Sequence, residues 1–342
     1  MKAIQLEKPG SFRVIDIDEP PAPGSGEAVV RVHQVGICGT DLGGYLGKMP
    51  FFSYPRIPGH ELGVEVVSVG DGVTNVRPGD RCSVEPYLNC QHCHACRRGH
   101  TNCCHHNQTL GVHCDGGLRR YYTVPARKLH GSPSLDFEQL ALVETLAIGS
   151  HAVFRAALKP GETVLVIGAG PIGLSVIEFA KLSGARTVVM DMNEQRLAFV
   201  RDVMGVTDTV LTRADGSEFT ALEKLTDGNG AEAVIDATGS NKSMSQALGF
   251  CAFAGRLVYV GITQADLSFP HAPILHRREL SILGSRNALP EDFRSIIGHI
   301  EANRIDTRPW ITHRSTFGGM IDQFPSWLKP ETGVIKAMVS VD

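Results

Sequence analysis

The chain reads as an α/β protein with a β-rich first part and a doubly wound parallel sheet after it. Three observations lead there. Residues 1–35 and 62–84 carry short β patterns separated by proline and glycine turns. From residue 163 onward, continuous apolar runs alternate with helical patterns, as in a parallel sheet covered on both faces. Gly168-Ala-Gly170-Pro171-Ile172-Gly173 stands where the first of those runs meets the first of those helices.

In order, AVVRVHQV (28–35) alternates apolar and polar residues, the pattern of a half-buried strand. Pro20, Pro21, Pro23, Gly24 and Gly26 mark the turn before it. Residues 38–61 read mostly as loop. LGVEVVSVG (62–70) is a further strand, and VRPGDRCSV (76–84) is a turn and a strand. Residues 136–158 have helical periodicity, with a break expected near Gly149. TVLVI (163–167) is a buried parallel strand, 172–183 an apolar helix, and TVVM (187–190) the second strand. DTVL (208–211), EAVIDATG (232–239), RLVYVG (256–261) and SILGS (281–285) continue the strands. Helical pieces lie at 193–205 and 241–253. An amphipathic helix over 291–302 and a strand in GVIKAMVSV close the chain.

Composition narrows the function. The 342 residues suffice for two domains. Lys and Arg total 33 against 36 Asp and Glu, so neither nucleic acid nor an anionic membrane is an expected partner. A zinc-ribbon nucleic-acid module is the non-enzymatic alternative, and the absence of a basic stripe argues against it. No apolar run reaches transmembrane length, and MKAIQLEKPG lacks the apolar core of a secretory signal. A cytoplasmic protein is expected.

Five of the nine cysteines fall between residues 90 and 104. Clustered cysteines in a cytosolic chain point to metal rather than disulfides. Cys90, Cys93, Cys96 and Cys104 follow Cys-x2-Cys-x2-Cys-x7-Cys. Four thiolates close a tetrahedral site, so this ion is structural. Cys103 is the alternative to Cys104.

A second set lies between Cys38 and Glu61: Cys38-Gly-Thr40-Asp41, then Gly59-His60-Glu61. Thiolate and imidazole are zinc ligands, and a carboxylate takes a further position. A catalytic zinc keeps one position open, so three protein ligands are enough. Thr40 places a hydroxyl where a proton can be passed. Asp41 is expected to hydrogen-bond His60 and fix its tautomer.

Gly168, Gly170 and Gly173 match the dinucleotide fingerprint, lying between strand and helix with Asp191 at the end of the next strand. Glycines allow close approach to a pyrophosphate, and the helix N-terminus supplies amide donors and a favourable dipole. Pro171, Ile172 and Arg196 are the remaining candidates there. Asp191 would accept from ribose hydroxyls and repel a 2′-phosphate, which favours NAD over NADP.

A four-cysteine lobe, a Cys…Gly-His-Glu set and a dinucleotide unit in this order resemble the zinc-containing medium-chain alcohol dehydrogenases. The likeness covers essentially the whole chain. It implies a β-rich, GroES-like catalytic domain from residues 1–150 and 286–342, with a structural lobe at about 88–106, and a Rossmann domain from 151–285 that binds NAD. It implies one catalytic and one structural zinc. Val143-Glu144-Thr145-Leu146 resembles the Glu-Pro-Leu of the polyol, sugar-acid and threonine dehydrogenase branch, with Thr145 in place of Pro. That branch makes Glu144 the third metal position, directly or through water, with Glu61 a direct or exchangeable ligand. Glu-Pro-Tyr (85–87) and Gly-Val-His-x-Asp-Gly-Gly (111–117) resemble a bacterial subgroup acting on sugar acids such as L-galactonate or L-gulonate, or on hexitols. Where relatives often carry a relay His, this chain has Gly43. His113 and Tyr45 either line the substrate pocket or pack elsewhere. Lys336 is expected near the cofactor phosphates, or as a protective edge-strand lysine.

The activity implied is oxidation of a secondary alcohol, a polyol or sugar acid, by NAD. L-Threonine 3-dehydrogenase and simple secondary-alcohol dehydrogenase are the alternatives. A zinc-free quinone or enone reductase is disfavoured, because those relatives lack the Cys and Gly-His-Glu ligands. The branch implies a homodimer or homotetramer, pairing through the strand near 281–285.

Overall fold

The computed structural model describes residues 1–213 and 215–341. The chain divides into two compact units: Met1–Thr145 with the segment from Leu289 onward, and Leu146–Ala288.

The first stretch carries β1 (Lys2–Lys8), β2 (Ser11–Asp16), β3 (Glu27–Ile37), α1 (Gly39–Tyr45), β4 (Glu61–Val69), β5 (Arg81–Val84) and β6 (Tyr87–Leu88). Then come α2 (His94–Arg97), β7 (Gln108–Thr109), β8 (Tyr121–Pro125), β9 (Leu129–Gly131) and α3 (Phe137–Ala156). The second unit holds β10 (Thr163–Ile167), α4 (Pro171–Leu182), β11 (Arg186–Asp191), α5 (Glu194–Asp202) and β12 (Thr209–Leu211). It continues with α6 (Ser217–Leu225), β13 (Ala231–Asp236), α7 (Asn241–Gln246), β14 (Cys251–Tyr259) and β15 (Ser281–Gly284). The tail adds α8 (Pro290–Glu301), β16 (Ile311–Thr316), α9 (Met320–Trp327) and β17 (Lys336–Ser340).

In the first unit, seven strands form one sheet in the order β16-β17-β3-β4-β5-β9, with β8 also on β3. The tail strand β17 lies antiparallel to β3, with Ala337 opposite Ile37 and Met338 opposite Gly36. On its other side β3 pairs with β4, and Gly36 faces Glu61. Strand ends 300 residues apart in the chain thus meet at one place. Val30, Val32, Val35, Leu62 and Val64 are fully buried and pack with Phe324 and Trp327 of α9. Each such side chain stabilises the fold by about 1.5–3 kcal/mol on burial.

The second unit is a six-stranded parallel sheet in the order β12-β11-β10-β13-β14-β15. Val164, Leu165 and Val166 of β10 and Val234 and Ile235 of β13 are fully buried, as strands covered on both faces require. The order reverses direction between β10 and β13, where such sheets bind ligands outside the carboxyl ends of the strands.

The structure departs from the local sequence reading at several points. α3 runs unbroken through Gly149. A Cβ there would lie 2.1 Å from Ser175 Oγ of α4, so the glycine permits close helix approach and does not end the helix. The expected helix over 241–253 stops early: α7 passes into a 3₁₀ turn over Ala247–Phe250, and β14 begins at the fully buried Cys251. Residues 38–61 are not all loop, because Cys38 caps α1. Among the described residues, no helix is long and apolar enough to cross a membrane.

Candidate metal centre and dinucleotide site

The ligand atoms of Cys38, His60 and Glu61 lie within 4.8 Å of one another. Each is placed by a different device. Cys38 stands between the end of β3 and the start of α1, as the cap of that helix, and its N–H donates to Asp41 Oδ2 at 2.9 Å. His60 follows Gly59, which has a φ of +101°. The loop 111–117 packs beneath it: Gly117 N–H donates to Gly59 O at 2.9 Å and Leu118 N–H to Pro58 O at 3.0 Å. A Cβ on Gly116 would stand 2.2 Å from Gly59 O. The Gly-Gly of that motif is therefore the floor under His60. Glu61 opens β4, and a Cβ on Gly36 opposite would lie 2.1 Å from its Oε2.

These residues suit a metal. His60 Nδ1 and Asp41 Oδ1 are buried and without a hydrogen-bond partner. Sulfur, imidazole and carboxylate together are a zinc-type donor set. Burial opposes the charge of His60, but Asp41, Cys38 and Glu144 outweigh it and push its pKa well above the ordinary histidine value. Burial raises Asp41, with His60 pulling the other way.

Asp41 differs from expectation. Its Oδ1 is 3.8 Å from His60 Nδ1, too far for a hydrogen bond, because its Oδ2 is engaged by the start of α1. Thr40 sits half-buried in the first turn of α1.

Glu144, on α3, is 4 % exposed and lies outside the set of three. Its Oε1 accepts from the hydroxyl of the buried Tyr87. Burial raises its pKa, and His60 counters that. Beside Tyr87 the buried Glu85 carboxylate accepts from Lys128, with His130 Nε2 at 3.3 Å.

Lys336 is a correction. It is neither on an edge strand nor free for a phosphate, because β17 lies between β16 and β3. Its Nζ is fully buried, 2.6 and 2.8 Å from the Glu61 oxygens and 3.3 Å from Ile37 O. Burial works against its charge, yet Glu61 raises its pKa above the usual lysine value. A lone lysine inside the apolar run VIKAMV was the signal for this. Tyr87 stands in the Glu-Pro-Tyr motif (85–87), but nothing in that motif points to Glu144. Tyr45 packs between Phe12 and Phe324 at 5.4 and 5.0 Å. His113 Nδ1 accepts from Thr109 N–H at 3.0 Å.

The sulfurs of Cys90, Cys93, Cys96 and Cys104 also lie within 4.8 Å of one another, while Cys103 is exposed and outside the set. Cys93 N–H donates to Cys90 Sγ and Cys90 N–H to Cys104 Sγ, both at 3.3 Å. Backbone donors at Cys96 and His105 hold the Cys93 thiol down to about 5, favouring the thiolate that a metal needs.

In the second unit, Gly168 has a φ of +99°, and a Cβ on Gly173 would stand 1.7 Å from Gly168 O. Neither position admits a side chain, so strand, loop and α4 close into a tight turn. Gly170 caps α4 and Pro171 is its first residue. Ile172 is half-buried beside them. Asp191 ends β11 and grips the loop: its Oδ2 accepts from Ala169 N–H at 2.6 Å and its Oδ1 from Asn193 N–H at 2.7 Å. Arg196 Nη1 lies 3.4 Å from where a Gly170 Cβ would stand. The cradle fits a dinucleotide pyrophosphate.

A six-stranded dinucleotide-type sheet, a β-rich unit with a sulfur–imidazole–carboxylate cluster, and a four-thiolate lobe define a zinc-type dehydrogenase. Comparison with known proteins agrees. Residues 24–134 match the alcohol dehydrogenase GroES-like domain, and residues 171–302 match the zinc-binding dehydrogenase family. L-galactonate-5-dehydrogenase of Escherichia coli K12 is 38 % identical over 323 residues, covering 94 % of each chain. Sorbitol dehydrogenase of Halalkalibacterium halodurans is 31 % identical, covering 92 % of this chain and 93 % of its own. An alcohol dehydrogenase of E. coli CFT073, solved with NADH, superposes with a TM-score of 0.91 at 29 % identity, covering 99 % of each chain. The chain belongs to the zinc-type medium-chain alcohol dehydrogenase family, and it is an enzyme of the dehydrogenase class.

Proposed function

We propose that the protein oxidises a secondary alcohol of a polyol or sugar acid to a ketone, with NAD as acceptor. The convergence of Cys38, His60 and Glu61 within 4.8 Å carries this reading. Relatives named for galactonate and sorbitol support the substrate class. Residues 1–150 and 286–342 form the catalytic domain, and 151–285 the NAD-binding domain.

Cys38 and His60 hold the catalytic metal, with Glu61 as third donor. The four lobe cysteines hold the structural ion. When bound, zinc lends Lewis acidity to an alcohol hydroxyl, and the nicotinamide accepts a hydride. Thr40 takes the hydroxyl proton and passes it outward. Asp41 orients the Cys38 turn through its bond to the Cys38 N–H. Lys336 balances the Glu61 charge and fixes its carboxylate. Gly168, Gly170 and Gly173 leave room for the pyrophosphate, and Pro171 and Ile172 begin the helix that faces it. Asp191 fixes the loop and, with its remaining lone pairs, takes the ribose hydroxyls, while Arg196 flanks Gly170.

A lobe of four reduced thiols suits a reducing compartment, so the cytoplasm is the proposed location. β15 is the outer strand of its sheet, with Ile282 exposed. An outer strand with an exposed apolar residue is where two copies would pair edge to edge, in the homodimer or homotetramer we propose.

A spectrophotometric NADH assay across hexitols, aldonates, threonine and short secondary alcohols tests the reading. Turnover is expected with a hexitol or aldonate. Turnover only with threonine or short alcohols would replace the substrate class, and turnover with none of them would remove the reading.

A further inference from the structure

The second carboxylate of the metal centre is tied back. Three protein donors leave a tetrahedral zinc one open position, and a fourth closes it. Glu144 is a buried carboxylate close enough for its charge to act on both His60 and Glu61, yet it stands outside the set of donors within 4.8 Å. A buried carboxylate needs a hydrogen-bond donor or a cation. Here the donor is the Tyr87 hydroxyl, which binds Glu144 Oε1. The tyrosine is itself fixed. It is 2 % exposed, pairs with Thr109 through β6 and β7, and sets its ring edge-on to Phe293 at 6.4 Å.

We propose that Tyr87 is a positioning residue that holds Glu144 back from the catalytic metal and so keeps one coordination position free for the substrate. The proposal rests on the assignment of that metal to Cys38, His60 and Glu61. Deprived of the phenol, Glu144 turns to the strongest positive charge in reach, the ion, and becomes its fourth protein ligand.

The test is the rate at which a chelator removes the catalytic metal from holoenzyme, for zinc and for cobalt(II) in its place. Tyr87→Phe removes one oxygen. It should slow release by about tenfold, the scale of outer-shell effects on metal affinity, and shift the visible cobalt spectrum. Adding Glu144→Gln to that variant should restore the wild-type release rate and spectrum. Glu144→Gln alone should change release by less than about tenfold, the lower end of outer-shell effects, since Glu144 is not a ligand in the intact site. Unchanged or faster release in Tyr87→Phe, slowing that persists in the double variant, or rapid metal loss in Glu144→Gln would each overturn the proposal. Should Tyr87→Phe fail to fold, the single Glu144→Gln variant still decides. Retention of both metals by Cys38→Ser would instead remove the underlying assignment, whatever Tyr87 does.

Discussion

Lys336 Nζ and the Glu61 carboxylate form a fully buried ion pair at 2.6 and 2.8 Å, joining the last strand of the chain to the first residue of β4. Glu61 is also one of the donors that converge with Cys38 and His60. Its charge thus faces a fixed lysine as well as the metal position. The pair sets the carboxylate in place before any ion arrives.

Lys336→Met should therefore leave an uncompensated buried carboxylate. Removing one partner of a buried pair costs about 3–5 kcal/mol. The metal-free variant should unfold at clearly lower denaturant than metal-free wild type. Zinc should recover more stability in the variant than in wild type, because the ion then supplies the counter-charge that the lysine no longer gives. Equal stability of the two metal-free proteins in urea titrations would remove the structural role of the pair.

Asp191→Ala acts on the dinucleotide loop. It removes the acceptor for Ala169 N–H and Asn193 N–H together with the negative charge. NADH affinity, read by fluorescence titration, should fall by about tenfold or more, the loss of charge-assisted bonds worth about 1.5–3 kcal/mol each. The preference for NAD over NADP should shrink in the same variant. An unchanged preference would assign the ribose to another residue.

Glu162 supplies a pH-dependent link inside the second unit. Burial pushes its carboxyl up, but Arg256 and the Lys159 N–H outweigh that and hold it below the usual carboxylate range. Arg256 also donates to Ala156 O and Ala157 O, so the pair ties the end of α3 to β14. A carboxylate depressed on folding stabilises above its unfolded pKa, about 4.3, and loses that contribution as pH falls through the lower folded value. Glu162→Gln should lower Tm by about 1–3 °C at pH 7, and the gap should close below about pH 4. A gap independent of pH would mean the carboxylate charge plays no part.

Much of the site was legible because its ligand sets are local. The four lobe cysteines fall within fifteen residues, and the glycines and Asp191 sit on one strand-turn-helix-strand unit. Spacing alone brings such groups together. Lys336 and Glu61 are 275 residues apart, and only the pairing of β17 with β3, and of β3 with β4, makes them neighbours. Glu144 and Tyr87 are 57 apart and meet through α3 and a two-residue strand. Gly149 misled for a related reason: its neighbour is Ser175 of another helix, which periodicity within α3 cannot reveal. Asp41 stands 3.8 Å from His60 without the expected bond, and its bond to the Cys38 N–H is a helix-start feature that a loop reading of 38–61 does not reveal.

The most direct test is metal content per folded chain, measured by elemental analysis of purified wild type and Cys38→Ser. Two donor groups predict about two zinc ions in wild type and about one in the variant, which should keep NADH binding while losing turnover. A variant that still holds two zinc ions and still turns over would contradict the account.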